Sequence, residues 1–282
     1  MIVEKRGNFK KVVFNHSKPT NLIKNLSFNN EFNASNISKT VDCLKFFKRK
    51  LSQFNVLKYR CVATEACRTA INSEFLLKKV KESSNIDIDI ISSDEEARLC
   101  LKSCKRYQNK IKTMGFLFDI GGGSTETTFF KTNPVHFSTT SISYGVINLP
   151  EKIEIFGEDY INKKINDHLN FFYNSNTQKS KKFVAIGSCS TVTTLCSIFQ
   201  NLPFFDLKKI EGFEMNFQDI LDTMNYIKNQ SNVDLKKHPC VGGKYKLLLN
   251  GVKIMTKLME IIPIEKIIVT QRGLRDAIID EL

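Results

Sequence analysis

One stretch decides the fold: Phe116-Leu117-Phe118-Asp119-Ile120-Gly121-Gly122-Gly123-Ser124-Thr125-Glu126-Thr127-Thr128-Phe129-Phe130. An apolar run ends at Asp119, three glycines follow, and a second β-prone run begins after Glu126. Because glycine has no Cβ, residues 121–123 can adopt positive φ and let a ligand approach the main-chain N–H groups. Asp119 and Glu126 flank this turn as oxygen donors for Mg²⁺ or as bases that position water. A glycine hairpin turn without a ligand has the same pattern, so both interpretations stay open.

The composition is that of a globular protein with a basic charge balance. The 282 residues suit one large domain or two smaller ones. A hydrophobic fraction of 41% and a charged fraction of 25% argue against a disordered chain. Lys and Arg total 42 against 29 Asp and Glu, which gives a net charge of +13. This balance favours an acidic partner such as nucleic acid, a membrane surface or a polyanionic substrate. Codon bias toward Lys and Asn produces the same excess.

Targeting and metal signals are weak in this chain. No apolar run approaches the roughly 18 residues of a membrane span, and residues 1–6 lack the apolar core of a signal peptide. We therefore expect a cytoplasmic protein with no membrane partner. The 8 cysteines form no Cys-x-x-Cys pair and do not cluster with the 4 histidines, which argues against a zinc site or a disulfide framework.

Helix and strand patterns alternate along the chain and predict an α/β fold. Helices are predicted over residues 37–54, 74–82, 159–172, 192–199, 217–228, 244–261 and 272–281. Strands are predicted over residues 57–63, 86–91, 183–186 and 266–270. A helix start is also expected near Ser93 or Asp94, where Glu95 and Glu96 would lie at the positive end of the helix dipole. Taken alone, that motif gives both glutamates a structural role.

A second turn of small residues follows the strand at 183–186. Gly187-Ser188-Cys189-Ser190-Thr191 joins this strand to a helix, a geometry that points N–H groups at an anion. A helix capped by the side chain of Ser188 or Ser190 explains the turn equally well. Two β/α halves with such loops predict a two-lobed α/β fold with a cleft. The basic piece 102–112 places the predicted boundary between domains 1–112 and 113–282.

Several segments stand in the order and spacing of one known family. They are Val62-Ala63-Thr64-Glu65-Ala66-Cys67-Arg68-Thr69-Ala70-Ile71-Asn72, Ile90-Ile91-Ser92-Ser93-Asp94-Glu95-Glu96-Ala97-Arg98-Leu99, Phe118 to Glu126, Gly187 to Leu195, and Arg272-Gly273-Leu274-Arg275. Together they resemble the exopolyphosphatase / guanosine pentaphosphate phosphohydrolase (Ppx/GppA) phosphatase family, in its short two-domain form. This resemblance implies two ribonuclease-H-like domains of the actin, sugar kinase and Hsp70 superfamily, with the active site in an interdomain cleft. It also implies that the last helix packs back on the first domain.

The resemblance also implies roles for individual residues. Glu96 matches the general base, and Glu126 matches an acidic residue that orients water or metal. Asp119 would reach Mg²⁺ directly or through water. The phosphate-binding positions are Arg68, Gly121, Gly122, Gly123, Ser124, Gly187, Ser190 and Thr191. The implied activity is Mg²⁺-dependent release of terminal phosphate from inorganic polyphosphate or guanosine pentaphosphate, and a homodimer is one expected assembly.

Two departures from the family pattern favour an alternative function. Family members begin with a strand and an Asp-x-Gly-Ser-x-Ser loop, and no such motif stands near Met1. Either the start codon is misassigned or the first domain has lost this element. The family's Gly-Thr-Gly-Gly-Thr is here Gly187 to Thr191, with side chains in place of two glycines. The alternative is a non-catalytic polyphosphate- or nucleotide-binding regulatory protein of the same fold. Nucleic acid, indicated by charge alone, is not an expected partner.

Overall fold

The computed structural model describes residues 1–7, 9–111, 114–177 and 182–282. The chain forms two compact units, one of Met1–Ser92 with Arg275–Leu282 and one of Ser93–Leu274. The division therefore falls before Ser93, whereas the basic piece at 102–112 places it after residue 112. The reason is packing, because the helix that begins at Ser93 buries Cys100 and Leu101 in one apolar cluster with strand residues of the second unit. In the described part of the chain no helix is long and apolar enough to cross a bilayer.

The first unit is built from short strands and helices. Its strands are β1 (Ile2–Arg6), β2 (Phe9–Phe14), β3 (Val62–Ala63) and β4 (Asp89–Ile90). Its helices are α1 (Leu26–Asn29), α2 (Ala34–Gln53), α3 (Glu65–Thr69) and α4 (Ser73–Ser84). The helices predicted at 37–54 and 74–82 are confirmed, while the strands predicted at 57–63 and 86–91 shorten to the parallel two-residue pair β3 and β4.

The second unit contains the remaining elements. Its helices are α5 (Ser93–Ser103), α6 (Lys105–Gln108), α7 (Leu149–Phe156), α8 (Glu158–Asn176), α9 (Ser190–Phe199), α10 (Leu207–Ile210), α11 (Phe217–Asn229), α12 (Asn232–Lys237) and α13 (Tyr245–Ile261). Its strands are β5 (Gly115–Ile120), β6 (Thr125–Thr132), β7 (Val135–Ile142), β8 (Phe183–Gly187), β9 (Glu214–Asn216) and β10 (Ile264–Val269). The last helix, α14 (Leu274–Glu281), lies with the first unit from Arg275 onward. The predicted α/β class is confirmed.

The sheet of the second unit has the order β7-β6-β5-β8-β10-β9. Strands β5, β8 and β10 are parallel to one another, while β6, β7 and β9 each pair antiparallel with a neighbour. The carboxyl ends of parallel strands meet at one edge of a sheet, which is where α/β proteins bind ligands. Asp119, Gly187 and Val269 stand at or beside these ends, so the turns that follow them share this edge.

The two faces of the sheet bury different side chains because successive residues of a strand point to opposite faces. Phe116 and Phe118 of β5 lie in the larger core, which also contains residues of α8, α9 and α13. Leu117 lies in the smaller core with Cys100 and Cys104 from the segment that begins at α5. Asp119 follows Leu117 in this alternation, and its side chain therefore belongs to the face covered by α5.

Candidate functional site

A row of polar side chains crosses the hairpin strands at the site edge. Asp119 of β5 pairs directly with Glu126 of β6, and Glu126 pairs with Ser141 of β7. The Ser141 hydroxyl donates a hydrogen bond to Glu126 Oε1 over 2.9 Å, and Glu126 is only 2% exposed. The β-hairpin thus places the carboxylates of Asp119 and Glu126 side by side, and the hydrogen bond from Ser141 fixes that of Glu126.

Helix α5 adds Glu96 and Cys100 to this row. The two residues are four apart, so they lie on the same side of the helix one turn from each other. The Cys100 thiol, which is 1% exposed, donates to Asp119 Oδ2 over 3.4 Å. Glu95, the neighbouring acid, pairs with Arg98 at 4.0 Å. The charge of Glu96 acts on Asp119 and on Cys100, so Glu96 is the glutamate of this turn that belongs to the candidate site.

The electrostatic state of Asp119 reflects this crowding. Burial, together with the charges of Glu126 and Glu96, raises the pKa of Asp119 to about 8, against the opposing hydrogen bond from Cys100. Burial and the charges of Asp119, Glu126 and Glu96 likewise raise the pKa of the Cys100 thiol. Three carboxylates share a poorly solvated place, and a bound cation would relieve their mutual repulsion.

The donor chemistry of this place fits Mg²⁺. In the described part of the chain, no three or more His, Cys, Asp or Glu side chains are arranged to hold a metal ion among themselves. A dedicated protein cage is not what Mg²⁺ requires, because it is usually bound by one or two carboxylates together with waters and phosphate oxygens. Asp119 is the carboxylate at the open end of β5 that meets this description.

The carbonyl groups of the glycine turn accept hydrogen bonds from residues 146–148. Val146 N–H donates to Gly121 O and Ile147 N–H donates to Gly122 O, both over 2.9 Å. The side-chain amide of Asn148 donates to Gly123 O, also over 2.9 Å. With all three carbonyls occupied on one side, the peptide planes of the turn are fixed.

The opposite, N–H side of the turn has free donors. Gly121 N–H closes the turn by donating to Ser124 O over 2.9 Å. The N–H groups of Gly122 and Gly123 donate no hydrogen bond to any residue that the structure describes. Because buried N–H groups nearly always have an acceptor, these donors can receive an anion at the site edge. Ser124 itself is 3% exposed.

The conformational reason for these glycines differs from the predicted one. The glycines in the left-handed region of the described chain are Gly7, Gly157, Gly212 and Gly242, so positive φ does not explain residues 121–123. Close approach does explain Gly121, where a Cβ would lie 3.1 Å from Ser124 O. Gly121 therefore fits a turn whose backbone folds tightly on itself.

Gly145 packs closely against the backbone of the glycine turn. A Cβ at Gly145 would lie 2.4 Å from Gly122 C and 2.5 Å from Gly123 N. Gly145→Ala must therefore displace backbone, and we expect it to lower the free energy of unfolding by about 1–3 kcal/mol in urea titrations. Gly243→Ala is the matched control, since a Cβ there meets nothing within 4 Å. Equal unfolding midpoints for the two variants would contradict this packing.

The second turn, Gly187 to Thr191, lies beside the first. Ser188 N–H donates to Phe118 O and Thr270 N–H donates to Gly187 O, each over 3.0 Å. Helix α9 begins at Ser190 with Cys189 as its N-cap and without a side-chain cap hydrogen bond, so capping by Ser188 or Ser190 is wrong. The Ser188 hydroxyl instead donates to Arg272 O.

The predicted phosphate ligands of this second turn differ in accessibility. Ser190 is exposed, and its N–H lies in the first turn of α9. Thr191 is 2% exposed and packs against α13, where a Cβ on Gly251 would lie 2.1 Å from Thr191 Oγ1. Gly187 has a packing reason of its own, because a Cβ there would lie 2.9 Å from the side chain of Val192. A ligand at this turn would therefore meet Ser190 and main-chain atoms rather than the Thr191 side chain.

Arg68 is the predicted site residue that belongs to the first unit. Its guanidinium donates to Ile91 O over 2.9 Å and to Glu65 Oε2 over 3.1 Å. The other predicted residues, from Glu96 through Thr191, belong to the second unit. The structure thus brings Glu96, Asp119 and Glu126 together with the two turns.

A third turn at the same edge, residues 270–273, was not predicted as part of the site. Ser188 reaches it through Arg272 O, and a Cβ on Gly273 would lie 3.9 Å from Asp119 Oδ2. The carboxylate of Glu211 holds it, accepting from Thr270 Oγ1 over 2.7 Å and from Gln271 N–H over 2.9 Å. The Arg-Gly-Leu-Arg motif at residues 272–275 is the sequence feature that could have indicated this turn. Nothing in the sequence indicates that Glu211 contacts it.

Glu211 carries a pH-dependent contribution to stability. Burial alone would raise its pKa, but hydrogen bonds from Gln271, Tyr107 and Thr270 and the charge of Arg106 lower it from its ordinary value of 4.5. A depressed carboxylate pKa gives stability that is present above the unfolded-state pKa and is lost as pH falls through the folded-state pKa.

We therefore expect the wild type to exceed Glu211→Gln in unfolding free energy at neutral pH, with the difference shrinking below about pH 4. Urea titrations at several pH values measure this difference. Glu214→Gln is the control, since Glu214 is an exposed partner of Lys266 at 2.6 Å. The same difference at pH 3 and pH 7 would show that the charge of Glu211 does not matter.

Comparison with known proteins gives a consistent family match. The model of the Ppx/GppA phosphatase family matches residues 1–282. The Aquifex aeolicus Ppx/GppA phosphatase, crystallised as its type II variant, superposes with a TM-score of 0.74 at 23% identity, covering 99% of this chain and 93% of that one. An exopolyphosphatase from Cytophaga hutchinsonii superposes with a TM-score of 0.83 at 16% identity, covering 99% and 91%. These likenesses show the fold.

The curated relatives are longer proteins. The bifunctional 3-dehydroquinate synthase/phosphatase of Fusobacterium nucleatum is 25% identical over 281 residues, which cover 93% of this chain and 41% of that protein. The guanosine-5'-triphosphate,3'-diphosphate pyrophosphatase of Photobacterium profundum is 33% identical over 106 residues, which cover 36% and 20%. The matches thus span less than half the length of these relatives.

Proposed function

Because this chain belongs to the Ppx/GppA phosphatase family, we propose that it hydrolyses phosphoanhydride bonds, releasing terminal phosphate from inorganic polyphosphate or guanosine pentaphosphate. One observation carries the proposal: Asp119 and Glu126 stand side by side, the charge of Glu96 acts on Asp119, and a glycine turn with unused N–H donors follows Asp119. The names of the relatives, an exopolyphosphatase and a guanosine-5'-triphosphate,3'-diphosphate pyrophosphatase, agree with these two substrates. A cytoplasmic location and a homodimer remain predictions.

Binding of the terminal phosphate is assigned to main-chain donors. The N–H groups of Gly122 and Gly123 would receive phosphate oxygens, and the N-terminus of α9 at Ser190 supplies the positive end of a helix dipole. The net charge of +13 would attract a polyanion to the surface without selecting among polyanions. Arg68 remains the predicted phosphate contact of the first unit.

Hydrolysis needs a water aligned with the scissile bond and a base to take its proton. Glu96 is the candidate base, and Glu126, held by Ser141 over 2.9 Å, would orient the water. The water oxygen bonds to the terminal phosphorus, the bond from that phosphorus to the bridging oxygen breaks, and Glu96 takes the proton. The bridging oxygen leaves on the shortened chain. Positioning and charge neutralisation account for most catalysis in such reactions.

Mg²⁺ fits this proposal through the oxygen donors of the site. Asp119 would hold the ion, with phosphate oxygens and water completing its coordination. When bound, the ion would neutralise negative charge on the phosphate. The Cys100 thiol holds Asp119 Oδ2 in place at 3.4 Å.

The test is release of orthophosphate by the purified full chain. With Mg²⁺ present, we expect release from polyphosphate or from guanosine pentaphosphate, and we expect chelation by EDTA to stop it. Product chains shortened by one phosphate at a time distinguish terminal from internal cleavage. Absence of release from both substrates, at Mg²⁺ concentrations that saturate the polyphosphate, would overturn the proposed function.

A second candidate is a binding or regulatory protein of the same fold. The observation that favours it is the second turn, where Cys189 and Ser190 stand in place of the family's glycines. Side chains at this turn restrict how closely a phosphate approaches the backbone. Tight binding of polyphosphate in calorimetry, without any orthophosphate release, would support this candidate, and Mg²⁺-dependent turnover would exclude it.

A further inference from the structure

We propose that the turn Thr270–Gly273 is a third wall of the phosphate site, with Gly273 leaving space for the ligand and Glu211 acting as its positioning residue. This inference rests on the proposed function, because it assigns to the same site a ligand-contacting element that the two predicted loops do not contain. The turn follows β10, the third parallel strand whose carboxyl end reaches the site edge.

The turn is fixed to the site by contacts at both of its ends. Thr270 N–H donates to Gly187 O over 3.0 Å, which ties the start of the turn to the end of β8. Arg272 O accepts from the Ser188 hydroxyl, and Arg272 Nε donates to Ser103 O over 2.7 Å. The turn is therefore registered against the second phosphate loop and against the end of α5, the helix that carries Glu96.

Glu211 holds the turn through hydrogen bonds with Thr270 and Gln271. One carboxylate oxygen accepts from Tyr107 OH over 2.6 Å and from Thr270 Oγ1 over 2.7 Å. The other accepts from Gln271 N–H over 2.9 Å, and Arg106 completes an ion pair at 2.7 Å. Because these four partners donate, a carboxylate satisfies them and an amide of the same shape does not. The network gives Glu211 control over where the turn lies.

Gly273 is the residue of the turn that approaches the Asp119 carboxylate. A Cβ there would lie 3.5 Å from Ser188 Oγ and 3.9 Å from Asp119 Oδ2. Both distances are ordinary van der Waals contacts, and φ at Gly273 is not in the left-handed region. Neither these two neighbours nor the backbone conformation at Gly273 therefore requires a glycine for folding.

A methyl group at this position would occupy space beside the Asp119 carboxylate. The ligand that needs this space is a phosphate group with its bound Mg²⁺, since Asp119 is the candidate ligand of that ion. Gly273→Ala should therefore weaken ligand binding without weakening the fold. This separation of the two effects distinguishes a ligand-contacting glycine from a structural one.

The experiment measures binding of Mg²⁺-tripolyphosphate by calorimetry, together with orthophosphate release and urea unfolding, in the full chain. For Gly273→Ala we expect an unchanged unfolding midpoint and a Kd raised by about tenfold or more. Gly243→Ala, whose Cβ meets nothing within 4 Å, should match the wild type in all three measurements. Wild-type affinity in Gly273→Ala would overturn the proposal.

Glu211 is tested by a double-variant cycle and by hydrogen exchange. Glu211→Gln should speed exchange of the Gln271 and Arg272 amides, and it should raise Kd at a temperature where the variant stays folded. If Glu211 acts through the turn, Gly273→Ala combined with Glu211→Gln should raise Kd by less than the product of the single effects. Multiplicative effects, or unchanged exchange at the two amides, would show that Glu211 does not position the turn.

The same measurements separate this proposal from the proposed function. Wild-type protein that binds Mg²⁺-tripolyphosphate without releasing orthophosphate overturns the hydrolase, while the Gly273→Ala comparison still decides the role of the turn. Wild-type protein that releases orthophosphate, with Gly273→Ala equal to it in affinity and rate, overturns only the role of the turn. Wild-type protein that neither binds nor hydrolyses overturns both.

Discussion

Replacement of Glu96 by Gln is expected to lower kcat for orthophosphate release by about 10²- to 10⁴-fold. Gln has the shape of Glu but cannot take the proton from the attacking water. The side chain stands near Asp119, whose pKa its charge helps to raise, so removing that charge should not destabilise the fold. Steady-state kinetics with Mg²⁺ and polyphosphate measure the effect, and urea unfolding checks that the variant is folded.

The neighbouring acid provides the matched control. Glu95 lies in the same first turn of α5 and pairs with Arg98 at 4.0 Å. Glu95→Gln removes the same charge from the same helix end, and it should retain a rate within a few fold of the wild type. If Glu96→Gln and Glu95→Gln have equal rates, Glu96 is not the base and the charge of the helix end explains whatever loss occurs.

Replacement of Asp119 by Asn should raise the Mg²⁺ concentration needed for half-maximal activity by about 10²-fold or more. An amide oxygen is a neutral and weaker ligand for a hard cation than a carboxylate. Because Mn²⁺ prefers similar oxygen ligands, its binding can be followed by electron paramagnetic resonance in the presence of tripolyphosphate. That measurement reports the ion directly and does not depend on turnover.

Although Asp119→Asn should weaken Mg²⁺ binding, it should not lower the free energy of unfolding. Burial and the charges of Glu126 and Glu96 raise the pKa of Asp119 to about 8, so a charge at this position opposes folding and its removal should leave the protein equally or more stable. Asp222→Asn is a suitable control, because Asp222 accepts from Gln218 Nε2 at 2.7 Å on the exposed side of α11. If Asp119→Asn binds Mn²⁺ with the affinity of the wild type, Asp119 is not a ligand of the metal ion.

The parts of the fold with regular local patterns could be predicted from the sequence. Apolar spacing marked α2 and α13, and the glycine turn between two β-prone runs marked the hairpin of β5 and β6. The opposition of Asp119 and Glu126 follows from that hairpin, because a four-residue turn sets the strand register. The local sequence was therefore enough to predict that Asp119 and Glu126 lie opposite each other.

The supports of the site depend on contacts between distant parts of the chain. Asn148 holds Gly123 O from 25 residues away, and Tyr107 reaches Glu211 across 104 residues. No periodicity records such contacts, and Cys100 resembles any small buried residue of an amphipathic helix. The strand predicted at 57–63 failed for a related reason, because a strand ends where its partner ends, and β4 offers two residues for pairing.

The central claim is that water attacks a terminal phosphate held beside Asp119, Glu126 and Glu96. The most direct test is hydrolysis of tripolyphosphate by the wild-type chain with Mg²⁺ in ¹⁸O-labelled water, followed by mass spectrometry of both products. We predict one labelled oxygen in the released orthophosphate and none in the pyrophosphate. Label in the pyrophosphate, or no orthophosphate above an enzyme-free control, would contradict the account.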